Sequence, residues 1–392
     1  MERVLILALA GALAMLATPL FFDLALCVAG NLFKARRPLA LMRRSIRLAV
    51  VVPAHNEETM IARTVESLRA ADVTTPIYVV AHNCSDGTAK AAAKAGATVV
   101  ELNDTALRGK GAALRHGFSA ALDAGANALL VVDADTLVSK NLIRSTQEML
   151  EQGADATQCR YELELQDPGA FRPLARLRAL AFRGMNVLRA RGRAGLGFST
   201  GLFGNGFALT TFLLERVPFN ANSIAEDVEY HTRLVEQGFP VYWIGDAFVH
   251  AHSPASSKAQ ATQEARWEGG RLGVASRASG KLVKALLGGE WRAVETLADV
   301  WSLPLSRGIL ALLLTIILPV HWLHVFAFTC AAITLIYVLQ AALLGDRPVY
   351  DLSALAAAPV YLAWKALITP LVLRQSRSRA EWERTKREAP QP

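Results

Sequence analysis

Two aspartates one residue apart, Asp133 and Asp135, close the apolar run Leu129–Asp135, LLVVDAD. Such a run has the outline of a buried strand, and carboxylates at a strand's carboxyl end lie where open α/β sheets bind ligands. Hard carboxylate oxygens at this spacing suit one Mg²⁺ or Mn²⁺ held beside a diphosphate. A solvated strand end is the plain alternative. Lys110 stands between Gly109 and Gly111, a setting that lets backbone approach a ligand closely. Glu226 and Asp227 open a predicted helix to Gln237 and, on local grounds alone, would favour its positive N-terminus.

The elements that must position these residues alternate. Strands are predicted at Leu48–Val52, Ile77–Val80, Val99–Leu102 and Leu129–Val132, with helices at Glu57–Ala70, Thr88–Ala95 and Gly111–Ala124. Alternation of this kind argues an α/β fold, a mostly parallel sheet covered by helices on both faces. Polar loops follow the strands: PAHNEE after the first, HNCSDGT after the second, and the aspartate pair after the later one. A further strand is predicted at Val241–Ile244. The four cysteines share no metal-ligand spacing, and no internal repeat or low-complexity linker is visible.

At 392 residues, 52% apolar and only 19% charged, the chain is too apolar for an ordinary cytosolic enzyme. The excess lies at the ends. Val4–Phe22 is nearly unbroken apolar sequence and continues past Asp23 to Phe33, long enough to cross a hydrocarbon core, and no cleavage-site pattern favours a signal peptide. Only Arg3 precedes this anchor, whereas Lys34, Arg36, Arg37, Arg43, Arg44 and Arg47 follow it, so the positive-inside rule puts the following domain in the cytoplasm. The net charge of +8 reads as attraction to anionic lipid, and no nucleic-acid motif is present. Near the other end, Gly308–Trp322 and Val325–Leu344 are expected to form a transmembrane hairpin about the HWLH break, His321–His324. Asp351–Leu373 is expected to lie at the interface or re-enter, because the basic tail behind it belongs in the cytoplasm.

Taken in order, these motifs resemble those of family 2 glycosyltransferases with a GT-A fold. The likeness is to the membrane-embedded branch of cellulose, hyaluronan and poly-N-acetylglucosamine synthases and lipid glucosyltransferases, and spans roughly Leu48–Leu303. Pro53, Ala54, His55, Asn56 and Glu57 match the opening loop beside the nucleoside; Lys110 matches the lysine by the donor nucleotide; Asp133 and Asp135 match the metal-binding D-x-D. Glu226-Asp227 matches the E-D pair whose aspartate is the base, and Gln263, Arg266 and Trp267 match Q-x-x-R-W. Gly204-Asn205-Gly206 resembles the loop bordering the acceptor, or is an ordinary turn. His250 or His252 would be a third metal ligand, or structural. One departure is His82, where relatives carry an aspartate that accepts a hydrogen bond from the base; Asn83 or Asp86 could take that part.

The resemblance implies a GT-A, Rossmann-like sheet and an inverting transfer dependent on Mg²⁺ or Mn²⁺. The donor would be a nucleotide-sugar, by family default a UDP-sugar. Donor contacts would come from Pro53, His55, Asn56, Glu57, His82, Asp86, Lys110, Asp133 and Arg266. Acceptor contacts would come from Gly204, Asn205, Gly206, Glu226, Gln263 and Trp267, with Asp227 catalytic. The acceptor would be a lipid or a growing glycan; a silent subunit that binds nucleotide-sugar is the reading from another class. The run Pro168–Gly195, rich in arginine and free of acidic residues, is expected to lie on an anionic membrane surface, with a helix packed on the sheet as its rival. The expected organisation is an anchor at 1–33, a basic linker at 34–47, the GT-A domain at 48–280, an interfacial region with Trp291 and Trp301 at 281–305, membrane segments at 306–373 and a basic tail at 374–392. The expected location is a bacterial inner membrane, with the catalytic domain on the cytoplasmic side.

Overall fold

The computed structural model describes residues 1–39, 43–107, 109–164, 172–221, 223, 225–252 and 257–375, with the side chains of residues 2, 164, 252, 257–259 and 375 outside that description. Its sheet is built from β1 (Leu48–Ala54), β2 (Ile77–His82), β3 (Thr98–Leu102), β4 (Ala128–Val131), β5 (Thr136–Val138), β6 (Ala156–Glu164), β7 (Phe207–Thr210) and β8 (Val241–His252). The strand order is β3-β2-β1-β4-β7-β6-β8-β5. β1 is buried at all seven positions, as its unbroken apolar sequence requires of a strand covered on both faces. Alternate side chains serve the two faces. Val50 and Val52 pack with Ile61, Val65 and Leu68, whereas Ala49 and Val51 pack with Leu114 and Phe118 of the helix Lys110–Asp123.

β3, β2, β1 and β4 are parallel, but β7 runs antiparallel between β4 and β6, and β5 runs antiparallel to β8. The sheet is therefore mixed, with its parallel half carrying the first three loops. The first helix starts at Ile61, later than Glu57, because the intervening loop is tied elsewhere. Glu57 N–H donates to Thr88 Oγ1 (2.8 Å) and Glu58 N–H to Asp86 Oδ2 (3.2 Å).

Two helices, at the N-terminus and at His321–Leu343, are long and apolar enough to cross a membrane. The break before the second falls at Leu318–Val320, around Pro319, which lacks an N–H; His321–His324 begin that helix instead of interrupting a hairpin. The preceding helix, Leu305–Ile317, has 13 residues and is bent 73° from Ala293–Trp301, the two together making a possible third span. The expected interfacial stretch at 281–305 is thus interrupted, with Glu295 and Asp299 buried and Trp291 and Trp301 exposed. Beyond Pro348 the chain runs in short helices, and the tail from 376 lies outside the described residues.

The arginine-rich run folds inward. Its described part forms the helix Pro173–Arg183, a π-turn Gly184–Leu188 and the helix Arg189–Leu196, and Arg176, Arg189 and Arg193 are buried. Arg176 and Arg183 pair with Asp351 (3.5 and 2.7 Å). Arg189 and Arg193 pair with Asp23 of the N-terminal helix and with Asp299, Arg193 also with Glu295, and Arg271 joins at Asp299. Three guanidiniums and three carboxylates thus share one buried cluster, the arrangement that makes buried charge tolerable. The partners come from distant parts of the chain, which is why a run without acidic residues looked like a membrane-facing surface. At Gly192 a Cβ would stand 2.3 Å from the Cys27 carbonyl oxygen, so glycine there lets the N-terminal helix approach.

Candidate active site

The D-x-D turn is held from behind. Asp133 N–H donates to Asn205 Oδ1 (3.1 Å), and Asn205 Nδ2 donates to Thr136 Oγ1 (2.9 Å). Gln158 of β6 fixes the same loop, donating from Nε2 to the Asn205 carbonyl (2.7 Å) and accepting from Phe203 N–H (3.0 Å). Asn205 is fully buried and its amide is engaged in bracing the aspartates, so the expected acceptor contact at this side chain is corrected to a positioning role. Gly206 has φ +71°, and a Cβ there would lie 2.4 Å from Cys159 Sγ. Gly206→Ala is expected to lose more than about 2 kcal/mol of stability through strain and overpacking. An unfolding midpoint equal to the wild type would contradict that.

Lys110 opens its helix after Gly109 (φ +90°) and reaches Asp133 Oδ1 and the Gly204 carbonyl, each at 2.5 Å. Burial acts to lower its pKa, but Asp133, Glu226 and Asp227 outweigh burial and hold it above the usual lysine value. Asp227 completes this group: a Cβ at Gly204 would be 3.2 Å from its Oδ2 and 3.5 Å from Lys110 Nζ. Burial, then the neighbouring Asp227 charge, pushes Glu226 up to about 7, and burial also raises Asp227, whose Oδ1 accepts from Val228 N–H. A carboxylate raised in this way is a stronger base.

The raised Glu226 has a consequence for stability. The folded protein binds its proton between about 4.5 and about 7, where the unfolded chain has lost it, so this group makes the fold less stable as pH rises through that window. Glu226→Gln removes the charge. Its stability relative to the wild type is expected to rise from pH 4.5 to 7, read by unfolding at each pH; a difference independent of pH would contradict the assignment.

Of the two loops expected around the nucleoside, Pro53, His55 and Glu57 line the cavity. Asn56, His82 and Asp86 are not among the residues that line it, and their described hydrogen bonds run to neighbouring loops. Asn56 Oδ1 accepts from Ser85 N–H (2.7 Å), and Asp86 Oδ1 accepts from Thr88 N–H (3.1 Å). His82 is buried with Nε2 2.8 Å from the Leu107 carbonyl; a carbonyl only accepts, so this nitrogen carries the proton. Burial lowers the His82 pKa and keeps the ring neutral. His55 Nδ1 in turn donates to the His82 carbonyl (2.7 Å), leaving His55 as the imidazole on the cavity wall.

Asp133 and Asp135 both line the cavity, Asp135 largely buried, and their all-oxygen donor set fits a hard divalent cation. His250 stacks on Phe248 (4.4 Å between centroids) and does not line the cavity. Among the described residues no group of three His, Cys, Asp or Glu side chains is placed to hold a metal ion, and His250 stands outside the cavity; the His252 side chain lies outside the description. Gln263, Arg266 and Trp267 enter the same cavity from the helix Ser257–Leu287, with Trp267 6.2 Å from the Phe182 ring. Two residues were not anticipated. Gln158 and Tyr161, both on β6, carry no local motif, and Tyr161 packs edge-on to Phe182 on the cavity wall.

The cavity, about 660 Å³, does not end at the sheet. It continues between Leu20 and Leu24 of the N-terminal helix, Ile309, Tyr337 and Tyr361.

The model of a family described as "Glycosyltransferase like family 2" matches residues 46–270. Over 94 residues, 24% of this chain and 68% of the relative, the sequence is 38% identical to Protein RfbJ of Shigella flexneri. The structure is similar to that of the mannosyltransferase PcManGT from Pyrobaculum calidifontis in complex with GDP-Man and Mn²⁺, with a TM-score of 0.53, 18% identity, and coverage of 96% of this chain and 97% of that one. That likeness shows the GT-A fold.

Proposed function

The chain belongs to glycosyltransferase family 2, and from that premise we propose that it transfers a single sugar, with inversion, from a nucleotide-sugar to a lipid or lipid-linked acceptor at the cytoplasmic face of a membrane. The observation that carries the lipid acceptor is the continuity of one cavity from Asp133, Asp135 and Asp227 to the apolar side chains of Leu20, Leu24 and Ile309. A polar glycan or a small soluble acceptor has no use for that apolar end. The N-terminal helix and His321–Leu343 serve as membrane spans, and the basic residues 34–47 set the orientation.

In this reading the donor lies with its diphosphate toward Lys110 and Arg266, whose guanidinium offers paired contacts to phosphate oxygens. Mg²⁺ or Mn²⁺ at Asp133 and Asp135 supplies, when bound, electrostatic stabilisation of the diphosphate. Asp227 takes the proton of the acceptor hydroxyl as that oxygen forms the bond to the anomeric carbon and the bond to the diphosphate breaks. Attack from the face opposite the diphosphate inverts the anomeric centre, and no second carboxylate nucleophile is needed. Trp267 offers an aromatic face to the acceptor's C–H surface. The shared cavity also keeps the donor's glycosidic carbon away from bulk water.

The test is to incubate the purified full chain in detergent with lipid extract and a panel of UDP- and GDP-sugars, then analyse lipids by mass spectrometry. A lipid heavier by one sugar unit is expected. Transfer only to water-soluble acceptors, or a ladder of products differing by successive sugar units, would overturn the reading.

A further inference from the structure

The cavity is electrically polarised along its length. At the D-x-D end, Glu57, Asp133, Asp135, Glu226 and Asp227 outnumber Lys110 and Arg266. Toward the apolar helices the balance reverses, and Arg178, Arg307 and Lys365 line the wall with Glu264 and Glu268. These groups meet on the helix that carries Gln263, Arg266 and Trp267. Lys365 Nζ bonds Glu264 and lies 2.8 Å from Glu268 Oε1; Arg307 bonds Glu268; Arg178 Nη2 is 3.5 Å from Glu264 Oε1. Two carboxylates are thus divided among three basic side chains. The guanidiniums are also incompletely satisfied: Arg307 Nε and Nη2 and Arg178 Nε are buried with no hydrogen-bond acceptor among the described residues. An excess of basic side chains in such a wall favours an oxygen-bearing anion, which forms stronger hydrogen bonds with them than a neutral group does.

We infer that this wall binds an anionic, phosphate-class headgroup of the acceptor, so that the lipid receiving the sugar is an anionic amphiphile. The inference rests on the lipid-acceptor reading above and narrows it. The anion is an anchor and not the nucleophile, which remains a hydroxyl delivered to Asp227. The opposite charge of the two ends also orients the acceptor. Its anion is repelled from the five carboxylates and held where the apolar tail can enter between Leu20, Ile309 and Tyr361.

The full chain in dodecyl maltoside, titrated with dodecyl phosphate, inorganic phosphate and octyl glucoside, tests this by calorimetry. Dodecyl phosphate is expected to bind at least about tenfold more tightly than either of the others. Lys365→Gln and Arg307→Gln should each weaken it by about tenfold, whereas Glu264→Gln, which removes a competing carboxylate, should strengthen it. The opposite signs matter, because damage to the fold would weaken binding in all three variants. Inorganic phosphate binding as tightly as dodecyl phosphate would mean a free anion and overturn the headgroup assignment. Dodecyl phosphate binding no better than octyl glucoside, with UDP or GDP plus Mn²⁺ still bound at the donor end, would overturn this inference alone. Loss of nucleotide binding in the wild type as well would take the transferase reading with it.

Discussion

Asp227→Asn is expected to lower turnover by about 10³-fold while leaving the dissociation constant for the nucleotide-sugar within a few-fold of the wild type. The substitution keeps the side chain's shape, and an amide oxygen can still accept from Val228 N–H as the carboxylate does at 2.8 Å. What it removes is the only property the proposed step needs, an oxygen basic enough to take the acceptor's proton. Burial raises that basicity, and Lys110 moderates it. Glu226 is adjacent, but its own pKa is pushed up to about 7, and substituting it should cost less than substituting Asp227. Single-turnover assays separate the chemical step from binding. Near-normal turnover of Asp227→Asn would remove this residue from the mechanism.

Stripping divalent cations with a chelator should reduce transfer by at least about 10²-fold, and Asp135→Ala should do the same in the presence of Mn²⁺. The reason lies in the charge at the donor end, where five carboxylates outnumber Lys110 and Arg266 around the space that must receive a diphosphate. Without a cation the diphosphate is repelled by the side chains meant to hold it. The effect should therefore appear in nucleotide affinity as well as in rate, and a titration of UDP with and without Mn²⁺ reads it directly. Full activity in metal-free buffer would contradict the assignment of Asp133 and Asp135.

Residues legible in the sequence share a property: their signal is local. β1, β2, β3 and β4 are apolar runs that end in polar loops, and the parallel half of the sheet follows from them. The antiparallel half was less visible. β5 has three residues and β7 four, too few to show a period, and the β6–β8 register shifts between Cys159 and Arg160. At the site, Lys110, Asp133, Asp135 and Asp227 stand at strand ends or helix starts, and the structure brings them into one cavity. The groups that support them were not legible, because Asn205 and Gln158 act through hydrogen bonds across 72 and 45 residues of chain. The loop residues Asn56 and Asp86 have polar types that suit a ligand, and the structure shows that they also tie the loops together, Asn56 to Ser85 and Asp86 to Thr88. The arginine run misled, since nothing in it reveals Asp23, Asp299 or Asp351.

Asp23 also bears on how the protein is made. It lies about two turns from the end of an N-terminal helix that is otherwise almost wholly apolar, and its side chain is fully buried. On the membrane reading proposed above, that helix emerges from the ribosome long before its counter-ions, because Arg193 follows Asp23 by 170 residues. At ordinary synthesis rates the interval is roughly ten to thirty seconds. Until Arg189 and Arg193 arrive, the helix holds a carboxylate that hydrocarbon disfavours, a penalty approaching that of other buried membrane charges. The charge of the first span is thereby compensated only once the helix Arg189–Leu196 has been made and has folded against it. The ion cluster that joins the anchor to the enzyme therefore forms late in synthesis, after most of the parallel half of the sheet has left the ribosome.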